Sequence, residues 1–148
     1  MLLKILGTLI LATCALSCTN LVVTPGASID GSTIFSDNGD SSTKYGSLDR
    51  YPGRKNIPPG TMKTIWNFDS GRYVTEIEEP AETYDVVGNL NEFQLSMGET
   101  TFGGLAQLCV EQPGAVMDYG NLIWTTLQRS KNAREAIDVM VQLTQTYG

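Results

Sequence analysis

The first seventeen residues constrain this chain more than any others. Lys4 is the only charge among them, an apolar run extends from Ile5 to Leu16, and small residues stand at Ala15 and Ser17 just before Cys18. A short basic start, an apolar stretch and a small-residue end form the pattern of a cleavable secretory signal. The run is shorter than the roughly 20 apolar residues that a helix needs to cross a bilayer. Cleavage after Ser17 removes residues 1–17 from the fold, leaves residues 18–148 as the domain, and makes Cys18 the first residue of the mature chain.

A cysteine in first position has chemical content, because its thiol and its α-amine sit on neighbouring carbons. The α-amine has a pKa of roughly 7.7 to 8, so near neutral pH it can take the thiol proton and pass it to a leaving group. No histidine is needed as the base, and the chain contains none. Three other readings of Cys18 stay open: an uncleaved anchor, a lipid-modified cysteine, and one half of a Cys18–Cys109 disulfide. Lipidation is disfavoured by Ala15, since a leucine is usual three positions before such a cysteine.

Cys14, Cys18 and Cys109 are the only cysteines, and the first leaves with the signal, so a disulfide framework is excluded. Without histidine or a Cys-x-x-Cys spacing, no metal or other cofactor is expected. The net charge of −6 comes without a Lys/Arg cluster. That balance argues against a nucleic-acid partner and against an anionic membrane surface. About 130 residues suffice for one domain with its own core, secreted or otherwise outside the cytosol, with homo-oligomerisation left open.

The order of local signals is strands first, helices last. Thr19 to Val23 is largely β-branched and is followed by Pro25-Gly26 and Asp30-Gly31, so it predicts a hairpin with Ser32 to Phe35. A polar turn is expected from Asn38 to Ser42, with irregular structure from there to about Pro59. Thr61 to Phe68 and Arg72 to Glu78 predict a second hairpin across Asp69-Ser70-Gly71. Tyr84 to Val87 and Phe93 to Met97 predict a third pair. Asp118 is placed to cap a helix through Leu122, Ile123, Thr126, Leu127 and Ser130. Asn132, with Glu135 three residues on, is placed to cap another whose core face is Ala133, Ala136, Ile137, Met140, Val141 and Thr144. Strands followed by helices indicate an α+β class.

Three blocks then resemble a known family. The run from Cys18 through Asn20, Pro25-Gly26 and Asp30-Gly31 to Thr33 resembles the mature start of the secreted cysteine dipeptidases of the N-terminal nucleophile hydrolase superfamily, relatives of the secernins. Val86 to Leu95 with Gly98 to Gly104 resembles a second block, and Met117 to Ala136 a third. The resemblance implies a partial four-layer αββα fold and cleavage of dipeptides, or of other small amides, by the N-terminal cysteine. It implies Cys18 as nucleophile and Asp40 as a carboxylate near the nucleophile's amine. Asn91, Glu92, Glu99, Thr100 and Thr101 then stand where relatives draw substrate and oxyanion contacts. Phe93 replaces a histidine common in the dipeptidases, and many relatives have an arginine near Asp37. Members of the family are several times as long, so an N-terminal piece of such an enzyme is expected. A secreted or lipid-anchored binding module and an inactive dipeptidase remnant are the rival readings.

Overall fold

The computed structural model describes residues 18–39, 45–100, 105, 107 and 113–148. The β-branched start forms β1 (Thr19–Val23), which pairs antiparallel with β2 (Ile34–Asn38) in a register running from Thr19 opposite Asn38 to Val23 opposite Ile34. In the connection, Asp30 accepts the Ser32 N–H at 3.0 Å and Gly31 adopts φ 76°, a conformation that favours glycine. β2 starts two residues later than the sequence predicts and runs on through Asn38. Ladder pairing with β1 claims the residues that begin the expected polar turn.

The stretch expected to be irregular contains two short strands, β3 (Arg50–Tyr51) and β4 (Arg54–Lys55). They are held by partners distant in sequence, which local propensity does not register. The second hairpin forms as predicted, from β5 (Met62–Trp66) and β6 (Tyr73–Glu78). Its turn is fixed by Asn67, whose Oδ1 accepts from both the N–H and the hydroxyl of Ser70. β4 pairs with β7 (Glu82–Thr83), and β3 pairs with β8 (Val86–Val87).

The third pair differs from expectation. β8 turns back through Gly88-Asn89, with Gly88 at φ 56°, directly into β9 (Leu90–Asn91). Residues 93–97 add only an isolated bridge between Leu90 and Ser96. The cause is Asn91: its Oδ1 accepts the N–H groups of Phe93 and Leu95, and Gln94 between them is left-handed at φ 63°. An asparagine side chain that takes two successive donors curls the chain and competes with a strand.

Both helices start where expected. α1 (Tyr119–Leu127) is capped by Asp118, whose Oδ1 accepts the Asn121 N–H at 2.8 Å and whose Oδ2 accepts the Phe68 N–H at 2.7 Å. The cap therefore also ties α1 to the β5–β6 turn. α2 (Ala133–Tyr147) is capped by Asn132, which accepts from Arg134 and Glu135. Glu135 reaches back to the Lys131 N–H, one residue before the cap.

Two apolar clusters join these elements. Val86, Leu95, Ile123, Leu127 and Ala136 form one, and Ile65, Ile77 and Leu143 form the other. The buried side of α2 is turned from the expected face: Ala136 and Leu143 are covered, whereas Ile137 and Val141 are about half exposed. Among the described residues the strands make four small antiparallel sheets, and the molecule is α+β.

Strand alternation has one costly consequence. Lys63 pairs with Ile77, so it lies on the same face as Ile65 and points into the core. Its ammonium donates to Thr125 Oγ1 at 3.2 Å and Gln128 Oε1 at 3.0 Å. Burial, together with the nearby Arg129 and Arg54 charges, pushes its pKa down to about 8. Arg54 itself is paired with the nearly buried Glu79.

Candidate active site

Pleating decides what surrounds Cys18. Alternate residues of a strand share a face, so Cys18, Asn20 and Val22 lie on one side of β1. Asn20 is opposite Asp37 and Val22 is opposite Phe35, which brings both β2 residues to that side. Cys18 is a half-buried thiol at the head of the strand. One face thus carries a nucleophile, an amide and a carboxylate.

A segment from the far side of the chain packs against it. The Thr100 hydroxyl lies 3.5 Å from the Cys18 carbonyl oxygen, Asn20 Nδ2 donates to the Glu99 carbonyl at 3.1 Å, and Asp37 Oδ2 accepts the Glu99 N–H at 3.4 Å. Gly98 makes this approach feasible. A Cβ at that position would lie 2.3 Å from Phe35 Cζ and 2.7 Å from Asp37 Oδ2, which no side chain tolerates without a shift. Residues 98–100 form a strap across the hairpin.

Of the residues singled out from sequence, Thr100 is brought to Cys18, and Glu99 is bonded through its backbone to Asn20 and Asp37 on the same face. Asn91 has another occupation. It is 4 % exposed, its Nδ2 donates to the carbonyls of Leu127 and Ser130 at 2.9 and 2.7 Å, and its Oδ1 accepts the two N–H groups already described. All four of its hydrogen-bonding positions serve the end of α1 and the 91–95 turn, leaving none for an oxyanion. Glu92 Oε1 accepts the Asp85 N–H at 3.0 Å and closes the β8–β9 loop. Asp40, Thr101 and Cys109 lie outside the described residues.

Asp37 is the residue that sequence reasoning passed over. With β2 predicted to end at Phe35, Asp37 falls just before a turn and has no facing partner. Extending the alternation by two residues puts it across from Asn20. The signal was the pairing register of the hairpin.

Asp37 also borders a cleft of about 1130 Å³. β2 and the residues before it form one wall, the loop after β9 forms another, and the connection between α1 and α2 closes the end. Phe35, Leu90, Phe93 and Leu95 give it apolar surface, and Lys131 enters from the inter-helix connection. Among the described residues no group of three Cys, Asp or Glu side chains is placed to hold a metal ion.

The arrangement suits acyl chemistry, with a thiol, a carboxylate and hydrogen-bond donors on one face of the hairpin, and the carboxylate, Asp37, also lining a partly apolar cleft. The model of peptidase family C69 matches residues 54–148, from β4 through α2, and takes in the whole of two of the three sequence blocks, but not Cys18. No curated protein and no solved structure matches the chain. The family match covers nearly two thirds of the sequence, and the chain therefore belongs to peptidase family C69.

Proposed function

We propose that this peptidase is a cysteine-type dipeptidase of the N-terminal nucleophile kind, with Cys18 as nucleophile and its own α-amine as base. The observation that carries the proposal is the place of Cys18 at the head of β1, on the face where Asn20, Asp37 and the 98–100 strap meet. It also has the thiol chemistry that a cysteine peptidase needs. Membership of a peptidase family supports peptide substrates in general. The four-layer αββα arrangement, export by residues 1–17 and a role for Asp40 and Thr101 belong to the same proposal.

In the uncut chain the Cys18 nitrogen is an amide bonded to Ser17 and has no basic lone pair. Hydrolysis of the 17–18 bond releases the amine, and only then does the residue hold both nucleophile and base. The amine accepts the thiol proton and the thiolate attacks the scissile carbonyl carbon, forming a C–S bond and a tetrahedral oxyanion. Asn20, whose Nδ2 keeps a second N–H besides the one given to Glu99, brings to this face a side-chain donor of the type that holds such an oxyanion. The C–N bond then breaks as the ammonium returns the proton to the leaving amine. Water, deprotonated by the same amine, hydrolyses the thioester and regenerates the thiol. Orienting the ammonium falls to Asp40 in this proposal.

The test compares chains that start at Cys18 and at Ser17. Hydrolysis of dipeptides by the first, with activity that rises as pH increases through the α-amine range of roughly 7.7 to 8, and inactivity of the second support the proposal. Equal activity of the two removes the α-amine from the mechanism.

A further inference from the structure

Lys131 has no role in the fold that accounts for its position. It lies in the short connection between α1 and α2 and lines the cleft that begins at Asp37. Its ammonium stands 5.5 Å from the centre of the Tyr84 ring and 5.3 Å from that of Phe93, and these rings meet edge to face with centres 4.8 Å apart. Among the described residues it makes no ion pair. A flexible lysine chain is normally solvated and mobile. Here the ammonium lies against two aromatic rings, whose faces attract a cation and hold it at the cleft.

The cleft also carries the opposite charge. Asp37 lines it and sits across β1–β2 from Asn20, two residues from Cys18 on the same face, a separation of about 7 Å along an extended strand. Phe35, Leu90, Phe93 and Leu95 give the same cleft apolar surface. A cleft that carries a carboxylate, apolar surface and a cation matches a short unblocked peptide. The peptide's ammonium belongs at Asp37, its side chains on the apolar surface and its free carboxylate at Lys131. The opposite orientation would place like charges together.

We infer that Lys131, held over Tyr84 and Phe93, is the specificity residue that binds the free C-terminal carboxylate of the peptide substrate, and so restricts the enzyme to short peptides with an unblocked end. The inference rests on the function proposed above but is tested by binding, without turnover. The whole chain carrying Cys18→Ala is titrated calorimetrically with alanyl-phenylalanine and with its C-terminal amide, which differ only in that carboxylate. Binding of the acid about tenfold or more tighter than the amide is expected, collapse of that ratio towards one in Cys18→Ala/Lys131→Met, and its recovery in Cys18→Ala/Lys131→Arg. Loss of a merely structural lysine would weaken both probes alike. Equal affinity for the two probes, binding of neither, or a preference that survives Lys131→Met overturns the inference. Hydrolysis by the chain with Cys18 intact is scored separately. A carboxylate preference without Cys18-dependent hydrolysis leaves Lys131 in place and rejects the dipeptidase mechanism, and the reverse result does the opposite.

Discussion

The β1–β2 hairpin and the body formed by β5, β6, α1 and α2 obey different rules. In the body, Ile65, Ile77 and Leu127 are completely buried, and α1 is bonded to the strands from several sides. In the hairpin, Leu21, Val22 and Ile34 are each more than half exposed. An isolated two-stranded hairpin is marginally stable in water. What fixes it here is the strap at residues 98–100, and that strap is also what meets Cys18. Stability thus resides in the region that matches the family, whereas the proposed chemistry resides in a lightly anchored region outside the match.

Substitutions should separate along this line. Asn91→Ala strikes the body hardest, because it leaves two carbonyls and two N–H groups without a partner at a buried site. A loss of about 3–5 kcal/mol is expected in urea unfolding. A loss below about 1 kcal/mol would show that water or neighbouring groups replace the amide and that the body is less tightly knit than described.

Lys63 tests the body in the opposite direction. Its pKa is lowered from 10.5 to about 8 in the folded state. Between these values the unfolded chain binds more protons than the folded one, so the lysine's contribution to stability rises as pH increases through that window. Below about pH 8 the penalty for burying the charge is present in full. Lys63→Met should therefore stabilise the protein at pH 7, by at most about 3 kcal/mol. Loss of the hydrogen bonds to Thr125 and Gln128 reduces that gain. The advantage should shrink as pH approaches 10, and unfolding curves for the two proteins that stay parallel from pH 7 to 10 would contradict the assignment.

Gly98→Ala addresses the junction between the regions. The added methyl collides with Phe35 and Asp37, and pushing the hairpin off its strap should lower dipeptide hydrolysis about tenfold or more while unfolding changes by less than about 1 kcal/mol. A large fall in stability with activity per folded molecule retained would make the strap a structural element only. The smallest effect is expected for Leu21→Ser on the open face of β1, within about 0.5 kcal/mol. A larger loss would mean that this face is covered.

Much of the body was legible from local signals. Asp118 and Asn132 have cap chemistry, and the apolar alternation around Asp69-Ser70-Gly71 gives β5 and β6 directly. What escaped depends on partners far along the chain. β3, β4 and β7 are two-residue strands that exist only because they meet each other or β8, and no periodicity is visible in two residues. Helical spacing put Ile137 and Val141 on a core face, but the sheets contact the side that carries Ala136 and Leu143. For the candidate site, Cys18 was legible from its position after the apolar run, and Glu99 and Thr100 from the second block. Asn91 was misread because a polar residue in a suggestive block has the same appearance whether it binds substrate or bolts a helix end. Asp37 was missed because its significance lies in a cross-strand pair with Asn20.

Side-by-side measurement of dipeptide hydrolysis and urea unfolding for the chain that starts at Cys18 and its Cys18→Ala form bears on both halves of this division at once. Cys18 lies at the head of the hairpin and outside the two buried clusters, so hydrolysis should fall to background while the unfolding midpoint stays in place. Undiminished hydrolysis by Cys18→Ala would contradict the assignment of the chemistry to the hairpin.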